Sequence, residues 1–296
     1  MNGVLVVDKP SGMTSHDVVA AARRALSERR IGHTGTLDPL ATGVLPLACG
    51  LATRLVRFLT ASDKDYEATI RFGITTDTYD IAGAEVSRSD SRPAAAAVEA
   101  GLASLRGAYD QVPPAYSAKK VGGQRAYHLA RRNQRVALAS VPVRVDRADL
   151  LAFTGDTATV ALTCSAGFYV RSFAHALGER TGTGACLESL RRTRSGQFTV
   201  REAVTLERLM KGAGNREEGD VALIPLAALL PDFPWARVSD EGWRRVGHGQ
   251  LVRDVDVVEQ RGHGSWTRIL DPAGQLIAVA QDGPVPGSLH PSVVLI

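Results

Sequence analysis

The spacing of apolar positions changes from segment to segment, and each change marks an element. Val4–Val7 is a continuous apolar run stopped by Asp8 and Lys9, which predicts a short buried strand. Val18, Val19, Ala22 and Leu26 recur at helical spacing behind Thr14 and Ser15, either of which can cap a helix running to about Glu28. Val44–Ala48 predicts a second strand, and Leu51, Leu55, Val56 and Leu59 an amphipathic helix after it. Tyr66, Ala68, Ile70 and Phe72 then alternate with Glu67, Thr69 and Arg71, the signature of a half-buried strand. Pro93 opens an alanine-rich helix, Val141–Val145 and Thr157–Cys164 read as strands, and Arg171–Arg180 reads as a helix ending before Gly182. Lys211–Asp220 is polar and predicts an exposed loop. From about Pro234 the pattern breaks into short β pieces, Thr267–Leu270 and Leu276–Ala280, with a turn at Asp271–Gly274. Strands and helices follow no regular β-α-β rhythm, so the expected class is α+β.

Composition adds limits. A chain of 296 residues holds one large domain and a small second one. No apolar run approaches the roughly 18 residues of a membrane span, and the apolar start is too short for a signal peptide, so a cytoplasmic protein is expected. Cys49, Cys164 and Cys186 are odd in number and far apart, which fits neither a disulfide framework nor a zinc pattern. The net charge of +4 is modest, but its distribution is uneven. Gln111–Arg135 carries Lys119, Lys120, Arg125, Arg131, Arg132 and Arg135 with no Asp or Glu, and Arg191, Arg192 and Arg194 form a second cluster. Both clusters are expected to meet a polyanion.

The stretch with most chemical content is GHTGTLDPLATG, Gly32–Gly43, which carries the single carboxylate Asp38. Pro39 fixes its own φ and pushes Asp38 towards an extended conformation, so the loop is suited to holding one acid in a defined pose. An Asp before Pro often only caps a turn. Other blocks argue for more here: VLVVDKPSGMTSHDVV (Val4–Val19), KDYEATIRFGITTDTYDIAG (Lys64–Gly83), QVPPAYSAKKVGGQRAY (Gln111–Tyr127), GFYVRSFAHALG (Gly167–Gly178) and LESLRRTRSGQF (Leu187–Phe198).

Taken in this order, these blocks resemble the TruB family of bacterial tRNA pseudouridine synthases, from Val4 to about Phe198. The resemblance implies a pseudouridine synthase fold with a central, mostly antiparallel mixed sheet flanked by helices and an active cleft across its middle. It implies a catalytic domain over 1–233, with a basic thumb insertion at about 111–135, and a small PUA-like β-barrel that binds RNA over 234–296. The reaction it implies turns the T-loop uridine at position 55 of tRNA into pseudouridine. The glycosidic C–N bond breaks, the uracil turns, and its C5 joins the same sugar carbon, with no cofactor or metal required.

The family pattern assigns the catalytic carboxylate to Asp38, its partner to Arg171, and a place against the flipped uracil to Tyr66, whose hydroxyl can accept a proton. An Arg partner keeps an acid ionised as a pocket closes and fixes its orientation. Tyr169 is expected as a second pocket wall, Leu190 as an apolar cover or plain core, and His33 as a residue that displaces or holds T-loop bases. Lys9, Lys119, Lys120, Arg125, Arg131 and Arg192 are expected to bind phosphates. The expected partner is the T-arm stem-loop of tRNA, without membrane or guide RNA, and the expected state is a monomer. A tRNA folding chaperone would use the same basic surfaces and can coexist with catalysis. An aspartate-dependent hydrolase would need a second acid or a metal cluster at a spacing the chain lacks.

Overall fold

The computed structural model describes residues 1–117, 119–121, 124–125, 138–212 and 222–296. Of Lys120, Val121, Gln124, Arg125 and Gly212 it describes the backbone only. Strand β1 (Gly3–Lys9) leads to helix α1 (Ser15–Leu26), then β2 (Ile31–His33) and β3 (Thr42–Cys49). Thr14 is the cap of α1: its hydroxyl accepts from the Asp17 amide while the Asp17 carboxylate accepts from the Thr14 amide, a reciprocal pair. The amphipathic run at Leu51–Leu59 is not one helix. It is a 3-10 turn, Gly50–Leu55, feeding the short helix α2 (Val56–Thr60).

The chain continues with β4 (Lys64–Phe72), the small hairpin β5 (Ile74–Thr76) and β6 (Glu85–Arg88), and α3 (Ala95–Ser104). Strand β7 (Gly107–Gln111) and the two-residue hairpin β8 (Lys120–Val121) and β9 (Gln124–Arg125) follow. Next come β10 (Val141–Phe153), β11 (Thr157–Cys164), α4 (Val170–Thr181), β12 (Ala185–Ser195), β13 (Phe198–Thr199), β14 (Val204–Thr205) and α5 (Leu206–Gly212). The main sheet has ten strands, in the order β14-β1-β3-β12-β4-β11-β10-β7, with β2 on β3 and β13 on β12. Its pairings are antiparallel except β1 with β14 and β3 with β12, so the expected mostly antiparallel mixed sheet is what forms.

Strand β1 shows why Val4–Val7 is apolar at every position. Leu5 and Val7 face a core under α1, α3 and α4, while Val4 and Val6 face a second core on the other side of the sheet. That second core is completed by the end of the chain. There, β15 (Trp235–Val238), α6 (Asp240–Gly247), β16 (Val257–Arg261), β17 (Thr267–Leu270), β18 (Leu276–Asp282) and β19 (Leu289–Val294) build a five-stranded sheet in the order β16-β15-β17-β18-β19. Leu270, Leu276, Val279 and Leu295 from this unit pack with Val4, Val44, Leu55 and Phe58. The Arg57 guanidinium lies over both the Phe58 and Trp266 rings, 4.5 and 4.6 Å from their centroids. Among the described residues, no helix is long and apolar enough to cross a membrane.

Strands β3 and β12 meet at Thr42–Arg191 and Gly43–Arg192. Gly43 has φ of +100°, and a side chain there would put its Cβ 2.2 Å from the Arg192 carbonyl oxygen. Gly43→Ala is therefore expected to cost about 2 kcal/mol or more of stability. Urea denaturation of the two proteins checks this, and an unchanged midpoint would contradict the close approach.

Candidate active site

The loop between β2 and β3 is pinned along its backbone before any side chain acts. Buried Ser15 donates to the Leu37 carbonyl at 3.1 Å and accepts from the Leu37 amide at 2.8 Å. The Gly12 amide and Lys9 Nζ both donate to the Pro39 carbonyl, at 2.8 and 3.3 Å, and the Ala41 amide donates to the Asp38 carbonyl at 3.0 Å. Leu37 and Ala41 are buried in the main core. Asp38 lies between these anchors with its side chain 38% exposed, so the carboxylate is fixed from behind and open in front.

Arg171 comes from the first turn of α4 and is buried. Its Nε lies 2.8 Å from Asp38 Oδ2, and Nη2 donates to Asp38 Oδ1 at 3.2 Å. The rest of the guanidinium is engaged as well. Nη1 donates to the Thr78 carbonyl at 3.1 Å, Nη2 to the Tyr116 carbonyl at 2.9 Å, and Asp80 Oδ2 is 3.7 Å from Nη1. A cation at a helix N-terminus is disfavoured by the helix dipole. Two carboxylates and two carbonyls offset that cost here.

Asp80 is a site residue that the sequence reading missed. It accepts from the Thr78 hydroxyl at 2.9 Å and the Ala82 amide at 3.1 Å, and its loop is tied to β12 through the Ile81 amide and the Leu187 carbonyl at 2.8 Å. Tyr79 beside it has φ of +64°, a costly conformation for a bulky residue, and stacks on His175 with ring centroids 4.0 Å apart. The signal lay in the run Asp77–Gly83, where Asp, Thr and Gly favour a tight turn.

Tyr66, half-buried on β4, lies opposite Arg192 of β12. Burial raises the pKa of its hydroxyl; Arg192 acts in the opposite direction and Asp38 in the same one. Tyr169 caps no backbone group; instead its amide and carbonyl are bridged by the Gln111 side chain at 2.8 and 3.1 Å, and burial raises its pKa too. His33 is half-buried, with its pKa lowered by burial, then by His16, then by Arg192. The His16 ring meets it edge-on at 5.2 Å. Leu190 packs in the main core beside Ala68.

Two of the expected phosphate binders do not face solvent. Lys9 is fully buried, and its Nζ donates to the carbonyls of Pro10, Met13 and Pro39 at 2.8, 2.7 and 3.3 Å. Arg192 is 1% exposed and donates to the carbonyls of Val44, Gly35 and Thr36 at 2.7, 3.1 and 3.5 Å. Their neighbours are tied inward as well. Arg191 grips Asp8 with both Nη atoms, at 3.1 and 2.8 Å, and Arg194 grips Asp65 at 2.6 and 2.8 Å. The Arg191–Arg194 cluster thus braces the sheet. Lys119 is half-buried, Lys120 pairs with Arg125 through the backbone, and Arg131 lies outside the described residues.

Compared with known proteins, the chain matches the model of the TruB family pseudouridylate synthase N-terminal domain over residues 23–170. It matches the tRNA pseudouridylate synthase B C-terminal domain over residues 171–231. It is 43% identical to the tRNA pseudouridine synthase B of Solibacter usitatus (strain Ellin6076), over 100% of both chains. The Pseudomonas aeruginosa (strain UCBPP-PA14) protein of the same name is 39% identical over 95% of this chain and 92% of its own. Among solved structures, a Cbf5-Nop10-Gar1 complex holds a chain with 26% identity and a TM-score of 0.78, covering 99% of this chain and 85% of that one. An archaeal box H/ACA sRNP Nop10-Cbf5 complex gives a TM-score of 0.76 at 24% identity, over 100% of this chain and 86% of that one, which speaks to the fold alone.

Burial lowers the Lys9 ammonium from 10.5 to about 8, with Asp38 opposing the shift. Between these values the unfolded chain binds more protons at this site than the folded one, so stability rises with pH there; below about 8 both states are charged and the slope vanishes. The stability of the protein relative to a Lys9→Met variant is therefore expected to be flat from pH 6 to 7.5 and to improve from pH 8 to 10. Chemical denaturation across that range checks it, and a difference that shrinks with rising pH would contradict the burial of a charged lysine.

Proposed function

We propose, on the premise that the chain belongs to the TruB family of pseudouridylate synthases, that Asp38, Arg171 and Tyr66 carry the conversion of the T-loop uridine at position 55 of tRNA into pseudouridine. The chain forms pseudouridine in tRNA; which side chains do it is our reading of the geometry. The observation that carries it is the half-open Asp38 carboxylate backed by a buried Arg171.

The target uridine is packed inside a folded loop, so it has to be extruded before any chemistry. The extruded nucleotide meets Asp38 from the solvent side. Arg171 holds the acid in one orientation while water leaves the pocket. A carboxylate in that pose serves as nucleophile or as stabiliser of a cationic sugar while the C–N bond is broken. Tyr66 and Tyr169 flank the base, and the His16–His33 pair lies on the β2 side of the loop, placed to hold neighbouring T-loop bases. Lys119, Lys120, Arg125 and Arg131 grip phosphates from the thumb at about 111–135.

We divide the chain into a catalytic domain over 1–233 and a PUA-like RNA-contacting domain over 234–296. The acid-free thumb supports a protein-only enzyme without guide RNA; from the family we expect a monomer in the cytoplasm.

Asp38→Asn keeps the shape of the side chain and removes its charge. It is expected to lower tritium release from a T-stem-loop RNA labelled at C5 of the target uridine by about 1,000-fold or more, with RNA affinity retained. Full release by this variant would show that another group is the acid. Asp80→Asn leaves Arg171 with one carboxylate and is expected to slow release by roughly ten- to a hundredfold without weakening RNA binding. A loss confined to affinity would place Asp80 in RNA binding instead.

A further inference from the structure

Among the described residues, Arg192 is the largest fully buried side chain, and it forms no ion pair with a carboxylate. A buried cation without a counter-ion is costly unless its donors are placed with purpose. Three of its bonds clamp the two ends of the Asp38 loop, to Gly35 and Thr36 on one side and Val44 on the other. On its remaining side it meets Tyr66. The two residues are direct cross-strand partners between β12 and β4, and the register slips between Arg192 and Arg194. Such a bulge beside an active site commonly serves to aim a side chain.

We propose that Arg192 is a positioning residue for Tyr66, holding the phenol oxygen towards the flipped uracil. The inference rests on the reading of Tyr66 as the acceptor of the uracil C5 proton. Once C5 has joined the sugar carbon, it carries both the new bond and its original hydrogen. Breaking that C–H bond sends its electron pair into the C5=C6 double bond, N1 takes up a proton from water, and the C5 proton passes to the Tyr66 oxygen. A phenol receives that proton only after giving up its own. The charged and titratable groups that act on the hydroxyl are Arg192 on β12, Cys164 on β11 and Asp38 in the loop. The burial of Tyr66, the Cys164 thiol and the Asp38 charge all oppose the phenolate, and Arg192 alone favours it. The same guanidinium holds the Asp38 loop, so the acid and the proton acceptor share one anchor.

The test places 3,5-difluorotyrosine at position 66 and follows its ionisation by fluorine NMR in the full-length protein. Arg192→Gln is expected to raise the midpoint by at least one pH unit, with Arg192→Lys between it and the parent. Tritium release should fall tenfold or more in kcat for Arg192→Gln, with the KM for stem-loop RNA within about threefold of the parent and partial recovery in Arg192→Lys. A midpoint that Arg192→Gln leaves in place, or a loss confined to KM, overturns the proposal. Should Arg192→Gln not fold, Arg192→Lys alone decides by the same midpoint and kcat. Tyr66→Phe separates the two readings. If it isomerises at the parental rate, Tyr66 is not the acceptor; if it is inactive while the midpoint ignores Arg192, only the role given to Arg192 falls.

Discussion

A guanidinium shut away from water needs acceptors around it, and Arg171 finds them in segments far apart in sequence. Asp38 comes from the β2–β3 loop, Thr78 and Asp80 from the β5–β6 hairpin, and Tyr116 from the segment after β7. These three segments are far apart in the chain, so their convergence requires the main sheet and the separate β5–β6 hairpin to be placed together. The ion pair around the carboxylate we propose as the catalyst is thus also the point where errors of assembly would be felt. Leaving any one donor unmet in a buried site costs about 1–3 kcal/mol, more for a charged group, and this ties fold and site together.

Behind that centre the protein uses an unusual device. Lys9 and Arg192 are buried against main-chain carbonyls, and Lys64 likewise donates to the Thr60 and Ser62 carbonyls, with its pKa lowered to about 8 by burial. A loop has few internal hydrogen bonds of its own. Here the loop carrying Asp38 receives its missing donors from side chains of β1 and β12, the strands on either side of β3. Those donors lie behind the carboxylate and leave its open face unoccupied.

Much of this was legible in the residues. Alternation marked Tyr66 as facing inward, Thr14 was one of the two residues expected to cap the first helix and does so, and the Gly and Pro content of Gly32–Gly43 marked a loop built around one acid. What misled was charge. Lys9 and Arg192 look like phosphate binders because basic residues are normally solvated, and nothing in a sequence reveals backbone carbonyls waiting to accept. The run Arg191–Arg194 reads as one patch, yet its guanidinium groups go to Asp8, to main-chain carbonyls and to Asp65, partners up to 183 positions away. Asp80 stayed hidden for the opposite reason: its turn is ordinary by composition, and its value lies in a contact with a helix about ninety residues later. The amphipathic run at Leu51–Leu59 was read correctly in its apolar face and wrongly in its continuity, since sequence period does not separate a 3-10 turn from the first turn of a helix.

The core shared by the two sheets has a consequence in time. Val4, Val6 and Val44 leave a ribosome well before Leu229, Leu270, Leu276, Val279 and Leu295, which cover them. At roughly 5–20 residues per second, that apolar face stays open for ten seconds or longer while the rest of the sheet assembles. The isolated bridge between Val4 and Ile224 ties the two ends of this interval together once the late segment arrives. The nascent chain therefore has a built-in vulnerable period, in which an early strand waits for much later residues and is open to chaperones or to misassociation.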